Sequence, residues 1–259
     1  MNDYNRNNEA SASDNEKIED AKIRVKSPAL LWLENFFYHY KWHTLIALVL
    51  LLSVVLCSVQ LCTKTSYDTY IMYAGGTDIR MTAEDGDVSD WQKIVSAVKR
   101  YSSDFDENGE HNISFLNLYM PSEEEIREIE ASDGKEVNLT LVSQNNETLW
   151  QRMYYGAYQI CLLSEHLYEK WSEDTENTPL AEIAPYLPEG STLKIAEGGY
   201  GVYLSSSPLY EKAGFNIFAE DTVICIRRMS LMSEAFGKDE NLENFKRSEE
   251  VLRKMLSAK

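Results

Sequence analysis

The sequence predicts an α/β domain, built on a mainly parallel sheet with flanking helices and preceded by one transmembrane helix. After residue 65, β-rich apolar runs alternate with amphipathic segments, a pattern typical of strands joined by helices. The run AYQICLLS (157–164) is almost continuously apolar, as expected of a strand whose two faces are both covered. Before these elements, residues 44–62 contain twelve Leu, Ile or Val and no charged residue.

The charge of the chain is concentrated after this apolar run. The 259 residues carry a net charge of −17, yet residues 1–43 hold seven acids and six bases. Residues 44–63 hold neither, so residues 64–259 are predicted to form a separate acidic domain. Such a domain lacks the basic face that nucleic acids or anionic lipid surfaces require. We therefore expect no nucleic-acid partner.

The apolar run 44–62 predicts an uncleaved membrane span. A helix of this length rises about 28 Å, close to the thickness of the hydrocarbon core. A buried core helix would show a polar face, and a cleaved signal peptide would begin nearer the N-terminus. Lipoprotein processing needs a small residue before the cysteine, but Leu precedes both Cys57 and Cys62. The predicted partner of this segment is the lipid bilayer.

The residues on either side of the span predict its orientation. Basic residues are concentrated before it (Lys22, Arg24, Lys26 and Lys41, against Lys64 and Arg80 after it). The positive-inside rule then places the N-terminus in the cytoplasm and the C-terminal domain outside the cell membrane. Residues 28–43 are rich in aromatics and predict an interfacial helix. Residues 1–27 are polar and predict a disordered cytoplasmic tail.

The first half of the domain, taken as 66–259, is predicted to contain two strand–helix pairs followed by an edge strand. SYDTYIMYAGG (66–76) is a strand ended by two glycines, and SDWQKIVSAVKRYSSDF (89–105) is a helix with Ser89 as its N-cap. ISFLNLYM (113–120) is the next strand, and PSEEEIREIEA (121–131) is a helix with an acidic first turn. The alternation in VNLTLVS (137–143) predicts the edge strand.

The second half continues the alternation. The predicted helices are NETLWQRMYYG (146–156), EHLYEKW (165–171) and the amphipathic NLENFKRSEEVLRKMLS (241–257). The predicted strands are AYQICLLS (157–164), YGVYLSSS (200–207) and TVICIRRM (222–229). The proline-rich stretch TPLAEIAPYLPEGS (178–191) predicts a loop.

Three phrases in the domain resemble extracytoplasmic solute-binding proteins: GAYQICLLSEHLYEKW, GGYGVYLSSSPLYEKAGF and EDTVICIRRMS. The resemblance implies a periplasmic-binding-protein-like lobe over 66–256, reduced in size because a two-lobed binding protein is much larger. FYHYKWHTLIA before the span and TKTSYDTYIMYAG after it resemble uncharacterised single-span membrane proteins of clostridial Gram-positive bacteria. The resemblance to solute-binding proteins implies a non-catalytic domain that binds a solute.

Aromatic residues are the candidate ligand-binding residues. Trp150 and Tyr154 are four residues apart and so share a helix face, beside Tyr155. Tyr200 lies within the glycine-rich turn GGYG (198–201), and Tyr203 follows it. Rings of this kind stack on a sugar or an aromatic ligand. The alternatives are core packing for Trp150, Tyr154 and Tyr155, and a plain turn before a strand for GGYG.

No catalytic residues, metal site or cofactor are predicted. The two histidines of the domain, His111 and His166, accompany no nucleophile motif. The acidic run FDENGE (105–110) is expected to be a solvated turn, because calcium binding needs a longer alternation of oxygen ligands. Cys161 and Cys225 lie on two predicted strands, and either a disulfide or two small buried side chains would fit them.

The sequence thus predicts a membrane-anchored, non-catalytic extracytoplasmic domain that binds a small molecule, a peptide or an envelope protein. The alternative is an accessory or structural subunit of a membrane complex. In that case Ser53, Ser58 and Gln60 supply hydrogen bonds to a membrane-protein partner.

Overall fold

The computed structural model describes residues 27–62, 67–80, 82, 87–133, 136–229 and 238–258. The chain divides into two compact units, Met1–Thr65 and Ser66–Lys259. Residues 1–26 of the predicted cytoplasmic tail lie outside the described residues.

The first unit contains one continuous helix, α1 (Pro28–Cys62), of 35 residues. It joins the predicted interfacial segment 28–43 and the predicted span 44–62 without a break. Its described side chains are exposed apart from Thr44, which is half-buried. The stretch Asn35–Val59 is long and apolar enough to cross a membrane, so the helix is compatible with a membrane anchor.

The polar and aromatic side chains of α1 contact other residues of the same helix. The Ser53 and Ser58 hydroxyls donate hydrogen bonds to the carbonyl oxygens four residues earlier, at 2.9 and 2.8 Å. Such bonds satisfy hydroxyl protons in hydrocarbon without a partner helix. Trp32, Phe36 and Tyr40 stack in sequence, with ring centroids 5.5 and 5.3 Å apart.

The second unit is built on a five-stranded sheet, which confirms the predicted mixed α/β fold. The strands are β1 (Thr69–Gly75), β2 (Ile113–Tyr119), β3 (Ile160–Leu163), β4 (Gly201–Tyr203) and β5 (Val223–Ile226). Their spatial order is β2-β1-β3-β5-β4. The strand β1 pairs in parallel with both β2 and β3, whereas β5 is antiparallel to β3 and β4. Four strands therefore run in one direction, and β5 runs against them.

Helices cover both faces of the sheet. They are α2 (Asp90–Lys99), α3 (Glu123–Asp133), α4 (Leu139–Tyr154), α5 (Glu165–Ser172), α6 (Pro208–Lys212) and α7 (Lys238–Leu256). Alternate residues of β1 enter two separate hydrophobic cores. Ile71 and Tyr73 pack in the core that includes α2 and α7, and Met72 and Ala74 pack in the core that includes α4 and α5. This double burial explains why β3 and β5 are apolar throughout.

The predicted edge strand at 137–143 is wrong, because these residues form the N-cap and first turns of α4. Asn138 caps the helix by accepting a hydrogen bond from the Leu141 backbone N–H, at 3.1 Å. Leu139 and Leu141 are exposed, so the alternating apolar residues do not pack against a buried face of the sheet. The cap satisfies a free N–H at the helix start. The helix predicted over 146–156 therefore begins earlier in the chain, at Leu139.

Two further predictions differ in detail from the structure. The strand expected at 200–207 ends at Tyr203 and continues as a 3₁₀ turn, Leu204–Ser206. The loop expected at 178–191 contains a second 3₁₀ turn, Ala184–Tyr186, whose Tyr186 is buried in the core.

Candidate functional site

The carboxyl ends of the parallel strands meet at one edge of the sheet, where the chain reverses its direction of winding. From β1 the chain crosses to β2 on one side, and it then returns past β1 to β3 on the other. Ligands of open α/β sheets bind at such a switch point, outside the carboxyl ends of the strands. The start of β5 lies at this same edge because β5 is antiparallel to its neighbours.

Backbone contacts bring the starts of α3 and α5 to the end of β1. The Met120 N–H donates to the Gly75 carbonyl at 2.7 Å, and the Ser164 N–H donates to the Ala74 carbonyl at 3.0 Å. Gly76 follows, and a Cβ at this position would overlap the Glu125 carboxylate. The absence of a side chain at Gly76 therefore lets the carboxylate rest against the backbone that leaves β1.

Glu125 is held in place by the N-terminus of α3. Its Oε2 accepts a hydrogen bond from the Ser122 N–H at 2.6 Å, while the Glu125 N–H donates to Ser122 Oγ at 3.2 Å. This reciprocal pair is a capping box, which fixes the side chain as well as the helix start. The other oxygen, Oε1, is the atom that faces Gly76.

His166 lies in the first turn of α5, directly after β3. Its Nδ1 is 3.0 Å from Ser164 Oγ, within hydrogen-bond distance. Burial lowers the pKa of His166, and the negative charges of Glu125 and Asp221 act in the opposite direction. The lowered pKa favours the neutral imidazole at pH 7.

Two further carboxylates complete this edge. Asp221 is exposed, but the partial burial of its carboxylate raises its pKa, and the negative charges of Glu165 and Glu125 raise it further. Tyr203 Oη donates a hydrogen bond to Glu165 Oε1 at 2.5 Å, which together with burial raises the pKa of Tyr203 to about 12. We call the four residues Glu125, Glu165, His166 and Asp221 the acidic edge. Its carboxylates repel one another, so the edge favours a bound cation.

Replacing Asp221 with Asn is expected to raise the melting temperature at pH 7. A raised pKa means that the fold disfavours the ionised carboxylate, so its stabilising contribution exists at low pH and is lost as the pH rises through the pKa. Above this pKa the ionised carboxylate costs stability that a neutral amide does not. Thermal unfolding at pH 7 and pH 4 tests this, and the advantage of the variant should shrink at pH 4. A lower melting temperature for the variant at pH 7 would contradict the assignment.

Of the five predicted aromatic residues, Tyr154, Tyr200 and Tyr203 pack in or against the core that includes α4 and α5. Trp150 stacks on Tyr154 at 5.7 Å and packs on the buried Trp171 at 4.5 Å, and Tyr155 lies beside them with 54% of its surface exposed. Tyr200 is buried in the core that includes α4 and α5.

Tyr203 is the one predicted residue that lies at the acidic edge. Its hydroxyl is bonded to Glu165, and the Lys194 ammonium covers its ring at 4.2 Å from the centroid. A cation–π contact therefore covers one face of the ring, while the hydroxyl holds the Glu165 carboxylate.

Sequence reasoning missed the acidic edge, although each member follows a recognisable signal. Glu125 stands three residues after Ser122, the spacing of a capping box. His166 comes directly after the apolar strand, and Asp221 directly before TVICI. The residues that follow parallel strands lie at the same edge of the sheet, so Glu125 and His166 could have been placed together from the sequence. To place Asp221 there as well, the antiparallel direction of β5 had to be known.

Cys161 and Cys225 are directly opposite each other in the register of β3 and β5. Both are buried free thiols. The Cys225 Sγ donates to the Cys161 carbonyl oxygen at 3.5 Å, and burial raises the pKa of the Cys225 thiol well above its ordinary value. As placed, the pair packs as two small apolar side chains between the strands.

Comparison with known proteins gives no relative. No protein-family model, curated protein sequence or solved structure matches the chain.

Proposed function

We propose that this chain is a single-span protein of the cell membrane whose α/β domain lies outside the cell and binds a cationic ligand without catalysing a reaction. The ligand class is a small amine or a basic peptide, bound at the acidic edge. The observation that carries the proposal is the convergence of Glu125, Glu165 and Asp221 at the carboxyl edge, with the pKa of Asp221 raised by burial and by the other two. A cationic ligand relieves this repulsion when it binds.

Binding fits the geometry of Ser164 and His166 better than catalysis does. A serine nucleophile has to be reached by the substrate, and Ser164 is only 4% exposed. Its backbone N–H is used by the Ala74 carbonyl, and it stands at the N-cap of α5. The Ser164 hydroxyl therefore serves to orient the His166 imidazole at the acidic edge.

The exposed apolar surface of α1 supports the membrane anchor. Leucine, isoleucine and valine side chains from Leu45 to Val59 are roughly half or more exposed, an arrangement that is unfavourable in water. The excess of basic residues before the span supports a cytoplasmic N-terminus and an external domain.

The exposed surface of α4 favours a second candidate, an accessory subunit of a membrane complex. Trp150 and Tyr155 are 43% and 54% exposed, and Leu139 and Leu141 on the same helix are 60% and 42% exposed. Aromatic residues of this kind are enriched where proteins contact one another. In this case the ligand of the domain is another envelope protein.

A thermal-shift titration with spermidine tests the proposed ligand class. We expect spermidine to raise the melting temperature of the full chain in detergent micelles, at constant ionic strength set with NaCl. Asp221→Asn should lower the affinity for spermidine about tenfold, since a hydrogen bond to a charged group contributes about 1.5–3 kcal/mol.

The matched control is Glu147→Gln, which removes one exposed charge from α4. It should leave the spermidine response unchanged. Equal responses from all three proteins would show that spermidine binds only to the general negative charge, and the acidic edge would lose its assignment.

A further inference from the structure

The loop between α2 and β2 contains a calcium-ligand spacing that begins one residue before FDENGE. Residues 104–109 read DFDENG, which matches the first half of the EF-hand loop, D-x-[DN]-x-[DN]-G. Asp104, Asp106 and Asn108 occupy the first three ligand positions, and Gly109 has the positive φ of 82° that the sharp turn requires. The twelfth position, where an EF-hand has its bidentate Glu, is Phe115 in β2.

A carboxylate from another segment takes the place of the missing glutamate. Asp68 directly precedes β1, and it offers one carboxylate oxygen to a group with Asp104 and Asp106. The three ligand atoms all lie within 4.8 Å of one another. A calcium ion with Ca–O distances of about 2.4 Å separates opposite ligands by about 4.8 Å, so one ion fits among them.

The hydrogen bonds of this group leave one buried oxygen without a partner. Asp68 is only 6% exposed, and its two oxygens accept from the Phe105 and Asn112 backbone N–H groups at 2.7 and 2.9 Å. Asp104 Oδ2 accepts from the Gly109 N–H at 2.9 Å. Asp104 Oδ1 is completely buried and has no hydrogen-bond partner. A buried carboxylate oxygen beside two other carboxylates is unfavourable unless a cation binds it.

The basic side chains that α7 brings close to this loop are paired with glutamates of α7. Lys254 contacts Ser103 Oγ at 3.3 Å and Glu250 at 2.7 Å. Arg247 lies over the Phe105 ring and pairs with Glu243. These pairs balance the charge of α7 itself and leave the negative charge of Asp68 and Asp104 for an ion.

We propose that Asp68, Asp104 and Asp106 bind one Ca²⁺ ion, with the Asn108 side chain and water completing the coordination. The ion joins the loop 101–112 to the start of β1. The site lies at the amino ends of β1 and β2, at the opposite edge of the sheet from the acidic edge, so it stands independently of the proposed function. Asp68 is the sixth residue after Cys62, the last residue of α1, so the ion anchors the beginning of the folded domain.

The test is a CaCl₂ titration of the full chain in detergent micelles after treatment with EDTA and dialysis. Calorimetry should give one tight site per chain, above any weak binding by exposed acids. The melting temperature should rise by roughly 5–10 °C at a free Ca²⁺ concentration about 100-fold above Kd. The absence of a single tight site, or an equal rise with MgCl₂ at the same concentration, would overturn the assignment to calcium.

Asp104→Asn separates an ion ligand from a merely structural residue. Because the amide retains the acceptor for Gly109 but loses the charge, Ca²⁺ affinity should fall about tenfold or more. Without Ca²⁺ the variant should be at least as stable as the native chain, since one repelling carboxylate is gone. Glu147→Gln is the matched control and should bind Ca²⁺ normally. An equal loss of stability for Asp104→Asn with and without Ca²⁺ would overturn the proposal.

Discussion

Replacing Arg227 with Ala is expected to lower the free energy of unfolding by about 3–5 kcal/mol, because it removes the guanidinium that donates to three backbone carbonyls. Arg227 is 1% exposed and follows β5. Its guanidinium donates to the carbonyls of Met153 at 2.7 Å, Gly156 at 2.8 Å and Tyr158 at 2.9 Å. These carbonyls lie at the C-terminal end of α4, where helix carbonyls lack partners and the helix dipole favours a cation.

The size of the effect follows from what remains after truncation. A buried acceptor left without its donor costs about 1–3 kcal/mol, and the Met153 carbonyl is such an acceptor. The Gly156 and Tyr158 carbonyls are part-buried, so each adds less to the cost. Part of this cost is offset because a buried cation no longer has to be desolvated, and this same desolvation lowers the pKa of Arg227. Arg227→Lys should fall between the two, since a single ammonium cannot reproduce the planar fork that reaches three carbonyls.

Urea unfolding of the full chain, followed by near-UV circular dichroism of the aromatic side chains, measures this difference. Arg228→Ala is the matched control, because Arg228 is exposed and its backbone N–H, which donates to Pro179, is unchanged. The control should unfold at the native midpoint. If both variants unfold at the same urea concentration, the three hydrogen bonds of Arg227 do not hold the end of α4.

The importance of Arg227 was not predictable from the pattern RRM at the end of a strand. The alternation of a strand places Arg227 and Arg228 on opposite faces, but it does not show which face is buried. The three acceptors lie about seventy residues earlier, at the end of a helix whose start was predicted as a strand. Only the packing of α4 against the sheet brings the two segments together.

The fold class followed from the alternation of apolar runs with amphipathic segments, and the structure confirms it. The direction of β5 did not follow, because an apolar run covered on both faces reads the same in either direction. The candidate site was predicted from aromatic residues, yet Trp150 and Tyr154 pack on Trp171 and only Tyr203 reaches the acidic edge. Rings attract notice in a sequence, whereas the charges that converge at a sheet edge are far apart in the chain.

Placing two arginines in α1, Leu48→Arg with Leu52→Arg, is expected to abolish membrane integration. Twelve aliphatic residues of the run contribute about −5 kcal/mol to insertion at most. Each arginine near the helix centre costs about 2.5–3.5 kcal/mol, so two cancel the whole contribution. In the structure both leucines are about half exposed and neither belongs to a buried core, so their replacement removes no core packing.

Extraction of isolated cell membranes with alkaline carbonate distinguishes an integrated protein from an adsorbed one. The native chain should remain in the membrane pellet, and the double arginine variant should move to the supernatant. Leu48→Ala with Leu52→Ala is the matched control, which should stay in the pellet because alanine shortens the side chains without adding charge. If α1 were a core helix of a soluble protein, the arginines would disrupt the fold without changing the fractionation. A native chain found in the supernatant would therefore remove the membrane anchor from the proposal.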